Sequence, residues 1–126
     1  MTVTTYVWTT DRYHQAVQAG VFDDQPVELL NGEIVVMSPE GIPHAGYSSD
    51  AANYLRRQLG DRALICEGHP ITLSDRSEPE PDLAIVAPLQ QVYKTQHHPY
   101  PEDVFWLVEY SDTSLDKDTS VTAILA

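Results

Sequence analysis

Two apolar runs, each with an acid at one end, constrain this chain more than any other feature. Residues 78–86 read EPEPDLAIV and residues 104–112 read VFWLVEYSD. Leu83–Val86 and Val104–Val108 are short, continuous apolar runs of the kind found in buried strands. Asp82 stands at the mouth of the first and Glu109 closes the second. As neighbours in one sheet, the two strands bring a carboxylate each to one end. Such an oxygen-rich site suits a hard divalent cation. The competing reading is that both acids simply meet water, as acids at strand ends commonly do.

A chain of 126 residues makes one domain, here 1–126, with a single core. Its hydrophobic share of 42% is that of a globular protein rather than a disordered one. Seven Lys+Arg against nineteen Asp+Glu give a net charge of −12, so no basic patch is available to neutralise phosphates. That counts against a passive DNA binder, and long-range steering toward DNA is unfavourable. A metal-dependent nuclease is less constrained, because its cation carries positive charge into the site. No apolar run approaches the roughly 20 residues that span a bilayer, and MTVTTYVWTTDRYH is no secretory signal. Lone Cys66 forms no internal disulfide. These features describe a soluble, cytoplasmic protein with no membrane partner.

Local patterns give an α+β order. Thr10 caps a helix from Asp11, with Tyr13, Ala16 and Val17 on one face and Gly20 as its stop. Residues 27–37, VELLNGEIVVM, read as a hairpin turning at Asn31-Gly32. A loop runs to about His44, followed by a helix to Leu59 that turns Ala51, Ala52, Leu55 and Leu59 to a core and ends at Gly60. Residues 63–67 and 69–73 are short strand candidates around Gly68. After a polar, Pro-rich stretch come the strand at 83–86, a long loop at 87–103 and the strand at 104–110. A final helix is expected from Asp116 or Asp118. Its pattern stops at Ile124-Leu125-Ala126 without a cap, so the chain is expected to be incomplete at the C-terminus relative to its relatives.

Several residues attract weaker readings. Glu78 and Glu80 alternate with Pro and are expected on a solvated rim, although Glu80 lies near enough in sequence to join a metal site. Adjacent His97 and His98 point to opposite sides and lack a Cys cluster, so they read as loop residues packing on Pro99 and Tyr100. Cys66 reads as a small buried strand residue.

The sequence resembles the Uma2 family. The matching pieces are VELLNGEIVVMSPEGIPH (27–44), GHPITL (68–73), SEPEPDLAIV (77–86), YKTQHHPYPEDV (93–104) and VEYSDTSLDKD (108–118). The resemblance implies a restriction-endonuclease-like core, a curved mixed β-sheet with flanking helices, and a metal-dependent nuclease acting on DNA. It implies Asp82 and Glu109 as ligands of Mg²⁺ or Mn²⁺, with the backbone carbonyl of Tyr110 as a further ligand. Bound there, the ion polarises the scissile phosphate and activates water. Glu28, and less so Glu33, is a candidate third acid. His44 matches a recurring histidine and is placed to hydrogen-bond a site carboxylate or a phosphate. A lysine common in the family on the helix after the SDxSxxxD run corresponds to Thr122, which supplies no charge. Asp82→Ala is expected to abolish metal binding and leave folding intact.

Three readings stay open: a metal-dependent endonuclease, a non-catalytic family member, and an acidic interaction module. On any of them a homodimer through the C-terminal edge is expected.

Overall fold

Asn31 (φ 48°) and Gly32 (φ 78°) take the two left-handed conformations that a two-residue hairpin turn requires. They join β1 (Val27–Leu30) to β2 (Glu33–Val36), paired antiparallel with Glu28 opposite Val35, as the sequence predicts. The computed structural model describes the backbone of residues 1–112 and 119–125 and the side chains through Tyr110. The chain divides into two units, Met1–Ser38 with Thr72–Pro79 and Pro39–Ile71 with Glu80–Ala126.

In the first unit, α1 (Thr10–Gln18) is capped by Thr9 rather than Thr10; the Thr9 hydroxyl accepts from the Arg12 N–H at 3.3 Å. Tyr13 on α1 packs with Val27 and Leu29, and its hydroxyl donates to the Val27 carbonyl (3.2 Å). Trp8, Phe22 and Ile34 close over this cluster. The 72–79 segment joins the hairpin by a bridge between Leu29 and Glu78.

The second unit holds a four-stranded sheet in the order β3 (Leu64–Glu67), β4 (Leu83–Val86), β5 (Val104–Asp112), β6 (Thr119–Leu125). Helix α2 (Ile42–Leu59) covers one face. There Ala52, fully buried, meets Ile65, Leu83, Ile85, Val108 and Tyr110, with Ala51, Leu55 and Leu59 packed around them. The helical spacing of these alanines and leucines is what puts them on one stripe. The opposite face buries Ile71, Ala84, Val86 and Val104. Because β4 is covered on both sides, all four of its residues are buried. Leu83, Ile85 and Val86 each contribute about 1.5–3 kcal/mol by leaving water.

The α+β class and the arrangement of helices on a sheet agree with a restriction-endonuclease-like fold, with one change: every described strand pair is antiparallel, where a mixed sheet was expected. Other local expectations need correcting. Residues 69–73 form no strand, since Pro70 has no N–H to give a ladder. The 87–103 stretch is not one long loop but contains α3 (Gln90–Thr95) and a 3₁₀ turn at Pro101–Asp103. The expected start of a final helix near Asp116 or Asp118 lies outside the described residues. Residues 119–125, where that helix was to run, form β6 instead. Thr119, Val121, Thr122 and Ile124 are β-branched and favour a strand once β5 offers an edge to pair with.

Candidate metal centre

Asp82 sits one residue before β4 and immediately after Pro81, which cannot donate to a ladder. Beyond the pair Leu83–Val108, the Pro81 and Asp82 carbonyls accept from the Gly68 N–H, and the Asp82 side chain takes the next N–H of β5. The Tyr110 backbone N–H donates to Asp82 Oδ2 at 2.6 Å. The other oxygen, Oδ1, lies 3.0 Å from His44 Nε2. His44 is the third residue of α2, and the first turn of that helix, opened by Gly41 and Pro43, delivers its ring to this end of β4. The two side chains are only 12% and 15% exposed, so the pair is held largely away from water.

Glu40 completes the group. Its Oε1 lies 3.9 Å from His44 Nε2, four residues along the chain, and its side chain is about half exposed. Ligand atoms of Glu40, His44 and Asp82 all lie within 4.8 Å of one another. The Tyr110 ring stands beside His44, with centroids 5.5 Å apart. Its hydroxyl donates to the Tyr47 carbonyl at 3.4 Å. Burial, and then the negative charge of Asp82, push the Tyr110 phenol above its ordinary pKa.

The donor set fits a divalent cation. Two carboxylates converge on one imidazole nitrogen, and neighbouring ligands of an octahedral ion bound at 2.0–2.1 Å stand about 3 Å apart. The 3.0 Å separation between His44 and Asp82 matches that spacing. A cation there would also offset the repulsion between the Glu40 and Asp82 charges.

Of the residues singled out from the sequence, the structure brings Asp82, His44 and Tyr110 together. Glu109 is exposed on β5 and is not in the Glu40–His44–Asp82 group. One step beyond the ladder pair Leu83–Val108, it stands at the register position opposite Asp82, and on its other side it pairs with Thr122 of β6. Glu28 lies on β1 of the first unit, partly buried; Glu33 is exposed on β2 and Glu80 is half-buried.

Two residues escape a reading of the sequence. Glu40 does so because it lies in a Pro- and Gly-rich loop; the available signal is its spacing of four from His44 at a helix entry. Glu78, expected on a solvated rim, is 2% exposed. His14 Nε2 lies 2.8 Å from both of its oxygens, and the Thr72 hydroxyl donates to Oε1 at 2.8 Å. Its burial follows from the bridge to Leu29, which draws the 72–79 segment against the hairpin. His97 does pack as expected, its ring stacked on Tyr100 with centroids 3.7 Å apart. Cys66 is partly buried in β3, where burial pushes its thiol pKa up against the opposing pull of Arg56.

A family model described as "Putative restriction endonuclease" matches residues 8–124, nearly the whole chain. The protein belongs to the Uma2 family. No curated protein and no solved structure matches it. Family membership points to a nuclease with DNA as the kind of substrate, and the Uma2 chain carries His and acidic groups able to hold a divalent ion. None of its described helices is long and apolar enough to cross a membrane.

Proposed function

We propose that this Uma2 protein is a divalent-metal-dependent endonuclease that hydrolyses DNA phosphodiester bonds. The observation that carries the reading is Asp82, fixed by the Tyr110 N–H on one oxygen and facing His44 and Glu40 with the other. Asp82, Glu40 and His44 hold the cation. An imidazole beside two carboxylates suits Mn²⁺ better than Mg²⁺. The bound ion supplies Lewis-acid polarisation of a phosphate oxygen and a lowered pKa for bound water. Tyr110 orients the Asp82 carboxylate. In an extended strand the N–H and C=O of one residue leave on the same side, so the Tyr110 carbonyl points to the β4 side of β5 as a further donor. His44 takes part as a ligand through the Nε2 that faces Asp82 and Glu40. Glu109, one residue past the Leu83–Val108 pair on β5, is the second acid.

A second reading, a family member that binds metal without turnover, is favoured by position 122. Thr122 pairs with Glu109 where a lysine would stand beside the acid. Supercoiled-plasmid nicking with Mn²⁺, Mg²⁺ or EDTA decides between the two readings. Metal-dependent nicking that Asp82→Asn abolishes supports the endonuclease. Metal binding without nicking, with nicking gained in Thr122→Lys, supports the second reading. A folded chain that binds no divalent metal overturns both.

A further inference from the structure

A cavity of about 450 Å³ opens in the second unit between β3 and α3, beside the cluster of Ile71, Ala84 and Val86. Its volume lies in the range of small-molecule sites. Leu64, Pro70 and Pro99 give it an apolar wall. The Tyr93 hydroxyl, also at the cavity, is taken up by the Ala87 carbonyl (2.8 Å), so Tyr93 offers mainly its ring.

The polar part of the lining carries a lysine rather than an acid. Among the described residues its one charged side chain is Lys94, one of two lysines in the sequence, and His69 and His98 add imidazole nitrogens. Among the described residues, none of the nineteen acids lines it. In a protein of net charge −12, Lys94 gives this cavity a cationic anchor, with the Asp103 carboxylate outside the lining on the side of Tyr93. The apolar wall is covered favourably only by an apolar or aromatic body, because water gains little from it.

We propose that this cavity binds a small organic anion with an aromatic body, Lys94 and His69 holding the charged group and the Leu64–Pro70–Pro99 wall taking the ring. The site shares no residue with the Glu40–His44–Asp82 group and does not depend on the nuclease reading. Carboxylates and phosphate monoesters share the recognising chemistry.

Cys66 lines the cavity and is the chain's one cysteine, so its alkylation by a maleimide reports occupancy directly. The rate is followed on the full chain in EDTA with indole-3-acetate, with deoxyadenosine monophosphate, and with the neutral controls indole and deoxyadenosine. Calorimetry with the same four compounds runs beside it, so the outcome does not hang on the intrinsic alkylation rate. At four times Kd the free site falls fivefold, so alkylation slows about fivefold. Lys94→Gln, at an exposed helix position, weakens binding about tenfold through loss of a charged hydrogen bond. Protection by the indole acid alone makes this a carboxylate site, and by the nucleotide alone a phosphate site. Protection by both makes it a general site for aromatic anions. Equal protection by the neutral controls, unchanged affinity in Lys94→Gln, or no binding of either anion at millimolar concentration overturns the proposal.

Discussion

The backbone N–H of Tyr110 ends on a carboxylate oxygen of Asp82, 2.6 Å away, one residue before β4 begins, where the Pro81 and Asp82 carbonyls accept from the Gly68 N–H instead. One side chain thus carries on the sheet ladder and faces the candidate metal donors. Position and charge of Asp82 are separable by mutation.

Asp82→Asn keeps an oxygen for the Tyr110 N–H and removes the charge; Asp82→Ala removes both. Mn²⁺ binding by calorimetry is expected to vanish in each. Stability separates them, because alanine leaves a partly buried N–H without its acceptor, at a cost of about 1–3 kcal/mol. The sequence alone gives the expectation that Asp82→Ala leaves folding intact, and the urea midpoint tests one against the other. Equal urea midpoints for the two variants would show that the Tyr110 hydrogen bond has no structural weight.

Glu40 and His44 differ in burial, and their variants are expected to differ accordingly. Glu40→Gln removes a half-exposed charge and should lower Mn²⁺ affinity several-fold to about tenfold with no change in melting temperature. His44→Ala removes a mostly buried ring against Asp82 and Tyr110 and should cost both affinity and stability. Unchanged metal affinity in both variants would place the ion elsewhere.

The contact between His14 and Glu78 predicts an asymmetry within the first unit. Glu78→Gln removes the buried charge together with the need to compensate it. His14→Ala keeps the 2%-exposed carboxylate and strips away a partner that touches both its oxygens. His14→Ala is therefore expected to be the more destabilising, by about 1–2 kcal/mol after allowing for the exposure of the imidazole. Chemical denaturation of the two variants checks the order, and the reverse order would mean that Glu78 is held by its hydrogen bonds rather than as a charge.

Tyr93 should titrate late. Burial, then the nearby Asp103 carboxylate and Cys66, push its phenol up to about 12. Its neutral form also donates to the Ala87 carbonyl. With the folded-state pKa above the unfolded value near 10, the unfolded chain loses this proton first. The contribution to stability is complete below pH 10 and declines as pH rises toward 12. Absorbance of tyrosinate, compared between the wild type and Tyr93→Phe, should show one late-titrating group missing from the variant.

The short-range features follow from the order of residues alone. The Asn31-Gly32 hairpin, the α2 stripe of Ala51, Ala52, Leu55 and Leu59, and the apolar strands flanking Asp82 and Glu109 are all set by local spacing and turn chemistry, and all are found. Asp82 and His44 were legible as candidates for the same reason, one at a strand mouth and the other at a helix entry. Features that depend on distant neighbours emerge only once the elements are packed. Residues 119–125 pair as β6 because β5 presents an open edge, which outweighs a two-turn helix on its own. Glu78 is buried because the Leu29 bridge draws its segment inward, although an alternating Glu-Pro run looks solvated. Glu40 joins Asp82, forty-two residues away in the chain, because α2 brings its first turn to the end of β4. Sequence spacing carries no record of such a meeting, which depends on which faces are packed together.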